Sequence, residues 1–283
     1  QYGRYLMISG SRKGGMPLNL QGKWNNSTTP PWSCDYHSNI NLQMLYWPAE
    51  ITNLGECAIP LLEYIPTLMV PGSITARQFF NARGWTVNTI NNPFGFTAVG
   101  EDMPWAFFPA GGAWLTRHLW EHYLYTQDTE FLRFKAMPAM EEAARFWVDY
   151  LTVDDNGYYV SNPSYSPEHG GISEGATMDH QIVRDLFDNY VKASEILSRE
   201  SRFTDTVSRM LARIYPNKIG SWGQLQEWKE DVDEQGNRHR HVSHLFALYP
   251  DDFISPKMTP DLAQAAKVTL ESRGDDGTGW SLA

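Results

Sequence analysis

Apolar residues recur at three- and four-residue steps over most of this chain. The segments that show this are joined alternately by short links and by long stretches rich in glycine, proline and asparagine. That period belongs to helices with one buried face. It predicts helices over residues 41–53, 60–70, 112–125, 138–151, 178–197, 203–214, 241–248 and 260–272, with Pro71-Gly72 ending the second. Residues 82–108 lack the period and are rich in Gly, Asn, Pro and Trp, so they read as a long ordered loop, a kind that often carries function. Residues 162–175 read as a second such loop. Only the turn at 154–157, running into Tyr158-Tyr159-Val160, signals a strand. The expected class is therefore all-α. Helical hairpins with alternating short and long connections suit an α/α barrel or a solenoid, and the lack of a fixed repeat of roughly 20–50 residues weakens the solenoid. No stretch reads as a linker, which favours one large domain over residues 1–283.

Composition removes several partners. The net charge is −10, from 23 basic against 33 acidic residues. A phosphate backbone needs clustered Lys and Arg, so nucleic acid is not expected. No apolar run reaches the roughly 20 residues of a membrane span, so none is expected. Cys34 and Cys57 are too few for a disulfide scaffold, lack metal-ligand spacing and do not indicate a compartment. Aromatic residues make up 13% of the chain, including 11 Trp. They suit either a large core or a pocket for the apolar faces of sugar rings.

Three clusters could carry chemistry. In Ser33-Cys34-Asp35-Tyr36-His37-Ser38-Asn39-Ile40-Asn41, either asparagine could cap the helix that follows. If the stretch is extended, His37, Asn39 and Asn41 project to one side and make a polar surface for a water or sugar hydroxyls. Ser161-Asn162-Pro163-Ser164-Tyr165-Ser166-Pro167-Glu168-His169-Gly170-Gly171 holds a single carboxylate in a loop stiffened by two prolines. Glu168 is either a solvated surface group or a fixed acid of the kind that protonates a departing glycosidic oxygen. His239-Arg240-His241-Val242-Ser243-His244 invites zinc, but its spacing matches neither a zinc finger nor an HExxH helix, so no metal is expected. Arg240 and the histidines suit hydrogen bonds to sugar hydroxyls or to an acidic neighbour. Glu121 beside Trp120, and Glu227 beside Trp228, line a pocket or support the wall of the fold. No G-x-S-x-G elbow, Walker loop or G-x-G-x-x-G occurs, so no cofactor is expected.

Five segments, in one order, resemble glycoside hydrolase family 95. They are Asn19-Leu20-Gln21-Gly22-Lys23-Trp24-Asn25, Asp35 to Met44, Gly111-Gly112-Ala113-Trp114-Leu115 with Leu119-Trp120-Glu121-His122-Tyr123, Ser166-Pro167-Glu168, and His239 to Leu245. The resemblance implies an (α/α)₆ barrel, incomplete in this chain, with long ordered loops lining the pocket. The family's N-terminal β-sandwich and the C-terminal part of its barrel would lie outside these residues. It also implies an inverting enzyme that removes terminal α-L-fucose, usually α1,2-linked to galactose in a glycan. Glu168 matches the general acid, Asn39 and Asn41 the pair that orients the attacking water, His37, Arg240 and His241 sugar contacts, and Trp120 an aromatic residue beside the sugar. Acid and asparagines would then flank one pocket, at the roughly 6.5–9.5 Å of inverting enzymes.

An amide is almost non-basic. In the family a carboxylate acts through the asparagine, from a segment downstream of Gly277-Thr278-Gly279-Trp280-Ser281, so these residues alone are expected to be inactive. Residues 88–95 depart from the His-rich version that many members carry. Two other readings remain: an α-L-galactosidase of the same family, for which His at position 37 is unfavourable, and a non-catalytic carbohydrate-binding relative. The family is commonly secreted or periplasmic.

Overall fold

The computed structural model describes residues 1–100 and 102–282. Glu101, in the 82–108 loop, and Ala283 lie outside the described residues. The chain is mostly helical, as the period predicts, and each of its named strands is two residues long. It divides into two compact units, residues 1–149 with 186–208, and residues 150–185 with 209–283.

The first unit opens with helix α1 (Tyr2–Gly10), which the period did not predict. The helix expected over 41–53 is two short ones, α2 (Asn41–Tyr46) and α3 (Pro48–Ile51), because Pro48 starts a new helix at its first position. Helix α4 (Gly55–Phe80) corrects the reading more strongly. It runs through Pro60, Pro66 and Pro71 and ends at Asn81, in the left-handed conformation. An interior proline costs about 3 kcal/mol. Against this, Leu61, Leu62, Tyr64, Ile65 and Leu68 are buried on α4, at about 1.5–3 kcal/mol each. Tertiary packing therefore overrides the local breakers. By length and composition α4 could cross a membrane, but half of its apolar window is buried within the protein, as in a core helix.

Helices α5 (Gly111–Thr126), α6 (Thr129–Phe131) and α7 (Met137–Tyr150) follow, with a π-helical turn at Leu132–Ala136 between the last two. Asp128 caps α6 by accepting from the Glu130 and Phe131 amides. Phe146 of α7 packs edge-on against Phe80 and Trp147, and Phe108 against Trp114. Strands β1 (Tyr36–His37) and β2 (Ile90–Asn91) pair antiparallel and tie the first polar cluster to the 82–108 loop.

In the second unit, β3 (Thr152–Val153) and β4 (Tyr159–Val160) pair around the predicted turn. Asp154 Oδ1 accepts the amides of Asn156 and Tyr158 there. Helix α8 (Thr177–Ile196) begins in this unit, α9 (Arg202–Leu211) ends in it, and α10 (Pro260–Arg273) lies wholly within it. Its core gathers Leu225, Leu245, Ala247, Ile254, Ala265 and Ala266. The helix expected over 241–248 is only a 3-10 turn, Ser243–Leu245. Its polar groups are spent on tertiary contacts: the Ser243 hydroxyl donates to Pro167 O (2.6 Å), and His244 O accepts from the Gln181 amide (2.7 Å).

Candidate active site

The loop that carries Glu168 contains almost no regular structure, yet its polar groups are satisfied inside the second unit. Ser161, Ser164 and Ser166 are fully buried. The Ser161 hydroxyl donates to Ser164 Oγ (3.0 Å), which donates to Asp179 Oδ2 (2.6 Å) on the first turn of α8. Ser164 and Ser173 exchange backbone hydrogen bonds at 2.7 and 2.8 Å, closing the loop across its base. The Tyr150 hydroxyl donates to Pro163 O (2.6 Å). Buried polar groups left unpaired are costly, so this network fixes one loop conformation.

Glu168 sits at the exposed turn of this loop, with a side chain 13% accessible. Arg240 donates to its Oε2, and His241 Nε2 lies 3.4 Å from the same oxygen. The charge of Glu168 helps burial push the Tyr165 hydroxyl up to about 12. His241 meets the edge of Trp280 at 4.7 Å, an aromatic residue that the sequence reading did not single out. His239 stacks between His169 (4.1 Å) and His241 (5.4 Å). Burial lowers His169 to about 4 and His239 to about 3, with Arg240 and Arg273 acting in the same direction. Both rings are thus neutral hydrogen-bonding groups near neutral pH. The His241 amide donates to His239 Nδ1 (3.2 Å), which fixes the Nε2–H tautomer of His239.

Beneath Glu168 lies Glu227, fully buried. Its Oε1 accepts from the Ser166 hydroxyl (2.6 Å) and His169 Nε2 (2.9 Å), and its Oε2 from Arg273 (2.8 Å), with His244 Nδ1 at 3.4 Å. Burial pushes this carboxyl up to about 7, while Ser166 and Arg273 pull it down. Glu227 is buried and hydrogen-bonded and also lines a small cavity with Asp233, His244 and Arg273. Glu227, Asp233 and His244 place potential ligand atoms within 4.8 Å of one another. The Arg273 guanidinium already occupies that carboxylate, which makes the group a poor fit for a cation.

In the first unit, His37, Asn39 and Asn41 gather at the junction of β1 and α2. The extended run stops at His37: Asn39 lies in a turn and Asn41 starts the helix, so alternation does not carry all three to one side. The N-cap position is Ile40 and makes no side-chain cap, so neither asparagine has the capping role there. Ser38 anchors the turn: its amide donates to Thr89 O (2.7 Å) and its carbonyl accepts from Gln43 (2.6 Å). Asn39 is 1% exposed and Asn41 half-buried. His37 Nε2 lies 3.0 Å from Asp35 Oδ1, and its ring meets the edge of Trp105 at 5.9 Å. Trp120 is buried on α5, tilted against Tyr123. Glu121 is half-buried, and burial raises its carboxyl pKa. The adjacent His122 pairs with Glu50 at 2.6 Å.

The site predicts its own acid sensitivity. His180 Nε2 accepts the Ser161 amide (3.2 Å), so it is neutral, and burial holds its pKa near 3. His118 and His244 are likewise buried, with pKa lowered to about 3. In the unfolded chain these rings take a proton near pH 6.5. Their contribution is therefore present above that pH and lost as pH falls toward 3. Glu227 and Asp179, raised by burial to about 7 and about 6, act oppositely and favour the folded state as pH falls. With His169 and His239, which burial lowers as well, five histidines oppose the two acids, so unfolding free energy should drop between pH 7 and pH 4. Urea midpoints at the two pH values check this, and equal midpoints would show that these rings are not buried neutral.

Comparison with known proteins gives this geometry a family. The model of the "Glycosyl hydrolase family 95 catalytic domain" matches residues 1–283. "Alpha-L-fucosidase 2" of Arabidopsis thaliana is 41% identical over 99% of the chain, and "Probable alpha-fucosidase A" of Aspergillus niger is 39% identical over 99%. The chain spans 35% and 38% of their respective lengths. Among solved structures, "Putative kojibiose phosphorylase from human microbiome" aligns with a TM-score of 0.62 over 81% of this chain and 33% of its own, at 11% identity. That likeness concerns the fold alone, and it is the all-α, (α/α)₆ type that the sequence leads one to expect. With its whole length matched by the family's catalytic domain, the chain belongs to glycoside hydrolase family 95.

Proposed function

We propose that this chain carries the acid side of an inverting α-L-fucosidase acting on glycans with terminal fucose α1,2-linked to galactose. The observation that supports this most is the setting of Glu168: a half-buried carboxylate on a loop pinned from below, touched by Arg240 and His241. In this reading Glu168 protonates the departing glycosidic oxygen. Asn39 and Asn41 hold the water that attacks the anomeric carbon, and a carboxylate in the family's downstream segment polarises that water through Asn41. Arg240, His241 and His37 hydrogen-bond the sugar hydroxyls, and Asp35 Oδ1 lies 3.0 Å from the His37 ring.

L-Galactose differs from L-fucose by a hydroxyl on C6. The full-length protein should hydrolyse a nitrophenyl α-L-fucoside at least about tenfold faster than the matching α-L-galactoside, since a pocket that leaves an added hydroxyl unpaired discriminates by that much or more. Proton NMR should show β-L-fucose as the first product. Equal or reversed preference favours the galactosidase, release of the α-anomer excludes inversion, and no hydrolysis of either substrate favours a carbohydrate-binding protein.

A further inference from the structure

Among the described residues, Glu227 is the one fully buried carboxylate shown to hydrogen-bond side chains on both sides of Glu168, and the chemistry proposed above leaves it no part. Its Oε1 takes the side chains of Ser166 and His169, two residues before Glu168 and one after it. A single oxygen thus clamps the turn on which the acid sits. The His169 amide also donates to Ser166 O (3.1 Å), so the clamped span is a closed turn. The opposite oxygen is braced by Arg273 at 2.8 Å. Glu227 is itself held, since its amide donates to Asp233 (3.1 Å) and its carbonyl accepts from the Thr177 amide (3.0 Å) at the start of α8. Nothing in this arrangement lets the clamp slide.

We infer that Glu227 is a positioning residue for the general acid: through Ser166 and His169 it sets where the Glu168 carboxyl stands against the leaving oxygen. This rests on Glu168 being the acid. A carboxylate is needed because both of its oxygens act as acceptors, one for the loop and one for Arg273. A glutamine would turn its amide N–H groups toward either the loop donors or the guanidinium. A carboxyl pushed up to about 7 by burial, yet facing a hydroxyl, a neutral imidazole and a guanidinium, is arranged to accept. Displacement of a catalytic group by about 1 Å can cost about a hundredfold.

The test uses the full-length protein with Glu227→Gln, Ser166→Ala and His169→Gln, assayed on a fucosyl-α1,2-galactoside and on a nitrophenyl fucoside. Protonation matters for the first substrate and little for the second. Glu227→Gln should lower kcat on the glycan at least about 30-fold, leave its KM within about threefold, and cost less than about threefold on the nitrophenyl substrate. In a Glu168→Gln background the same change should add less than about threefold, because residues acting through one group are not additive. Ser166→Ala and His169→Gln each keep the Glu227–Arg273 pair and should show the same substrate split at smaller size. They decide the matter if Glu227→Gln does not fold. Equal losses on both substrates, or a full additional loss without Glu168, would overturn the inference. A wild-type protein inactive on both substrates overturns the functional reading and the inference with it, an outcome distinct from an active wild type whose variants lose both activities equally.

Discussion

Glu168→Gln is expected to reduce kcat of the full-length protein on fucosylated glycans by ~10²-fold or more, the usual scale of general acid catalysis. Glutamine keeps the shape of the side chain and an oxygen for the Arg240 contact, so the loop should survive the change. What it cannot do is give up a proton. A leaving group as acidic as a nitrophenol needs little protonation, so the loss on a nitrophenyl fucoside should be far smaller. Steady-state kinetics on the two substrates make the comparison, and equal losses would assign Glu168 to binding rather than to acid catalysis.

The largest effect on stability is expected at Gly84→Ala. Gly84 has φ +67°, where any L side chain is strained. An added Cβ would stand 1.9 Å from Glu142 O and 2.7 Å from Phe146 N, both backbone atoms of α7 that have nowhere to move. The close approach is what lets Trp85 bury its ring and donate Nε1–H to Ala139 O (3.0 Å). Left-handed strain of about 1–2 kcal/mol adds to overpacking of about 1–3. The sum, on the order of 4 kcal/mol, should lower Tm by roughly 7 °C for a chain of this size. Gly223→Ala is the control: its φ is +89° but nothing lies within 4 Å, so only the strain remains. Thermal unfolding by circular dichroism of both variants tests the argument, and equal shifts would remove the clash from it.

Where one buried face drives a helix, the sequence is an adequate guide. Helices α5, α7, α8 and α10 lie within a residue or two of the predicted spans. The reading failed where a local signal met a tertiary one. Pro71 looks like a terminator, but α4 buries enough apolar surface to continue for nine residues beyond it. Residues 241–248 have a helical pattern, but Ser243 and His244 spend their polar groups on distant partners. The loop around Glu168 was legible as a loop because proline and glycine punctuate it around one carboxylate. The role of Glu227 was not, since its partners at 166, 169, 244 and 273 are brought together only by the fold. Trp280 was hidden in the same way, its contact with His241 spanning 39 positions of sequence.

The serines under the acid loop have a consequence for how this protein can vary. Segments without helix or strand normally tolerate insertions, because little is lost when they lengthen. Residues 161–169 and 173–176 are an exception: Ser161, Ser164, Ser166, His169, Ser173 and Ala176 hydrogen-bond to Asp179, Glu227, His180 and one another. Hydrogen bonds are directional, so adding a single residue would displace every donor beyond it from its acceptor. Length is as strictly set here as the register of a strand. Room to insert exists at Gly171 on the exposed tip, which has open space around it, whereas Gly170 is packed against Trp228. An insertion at that tip should therefore leave the Ser166–Glu227 contact where it is.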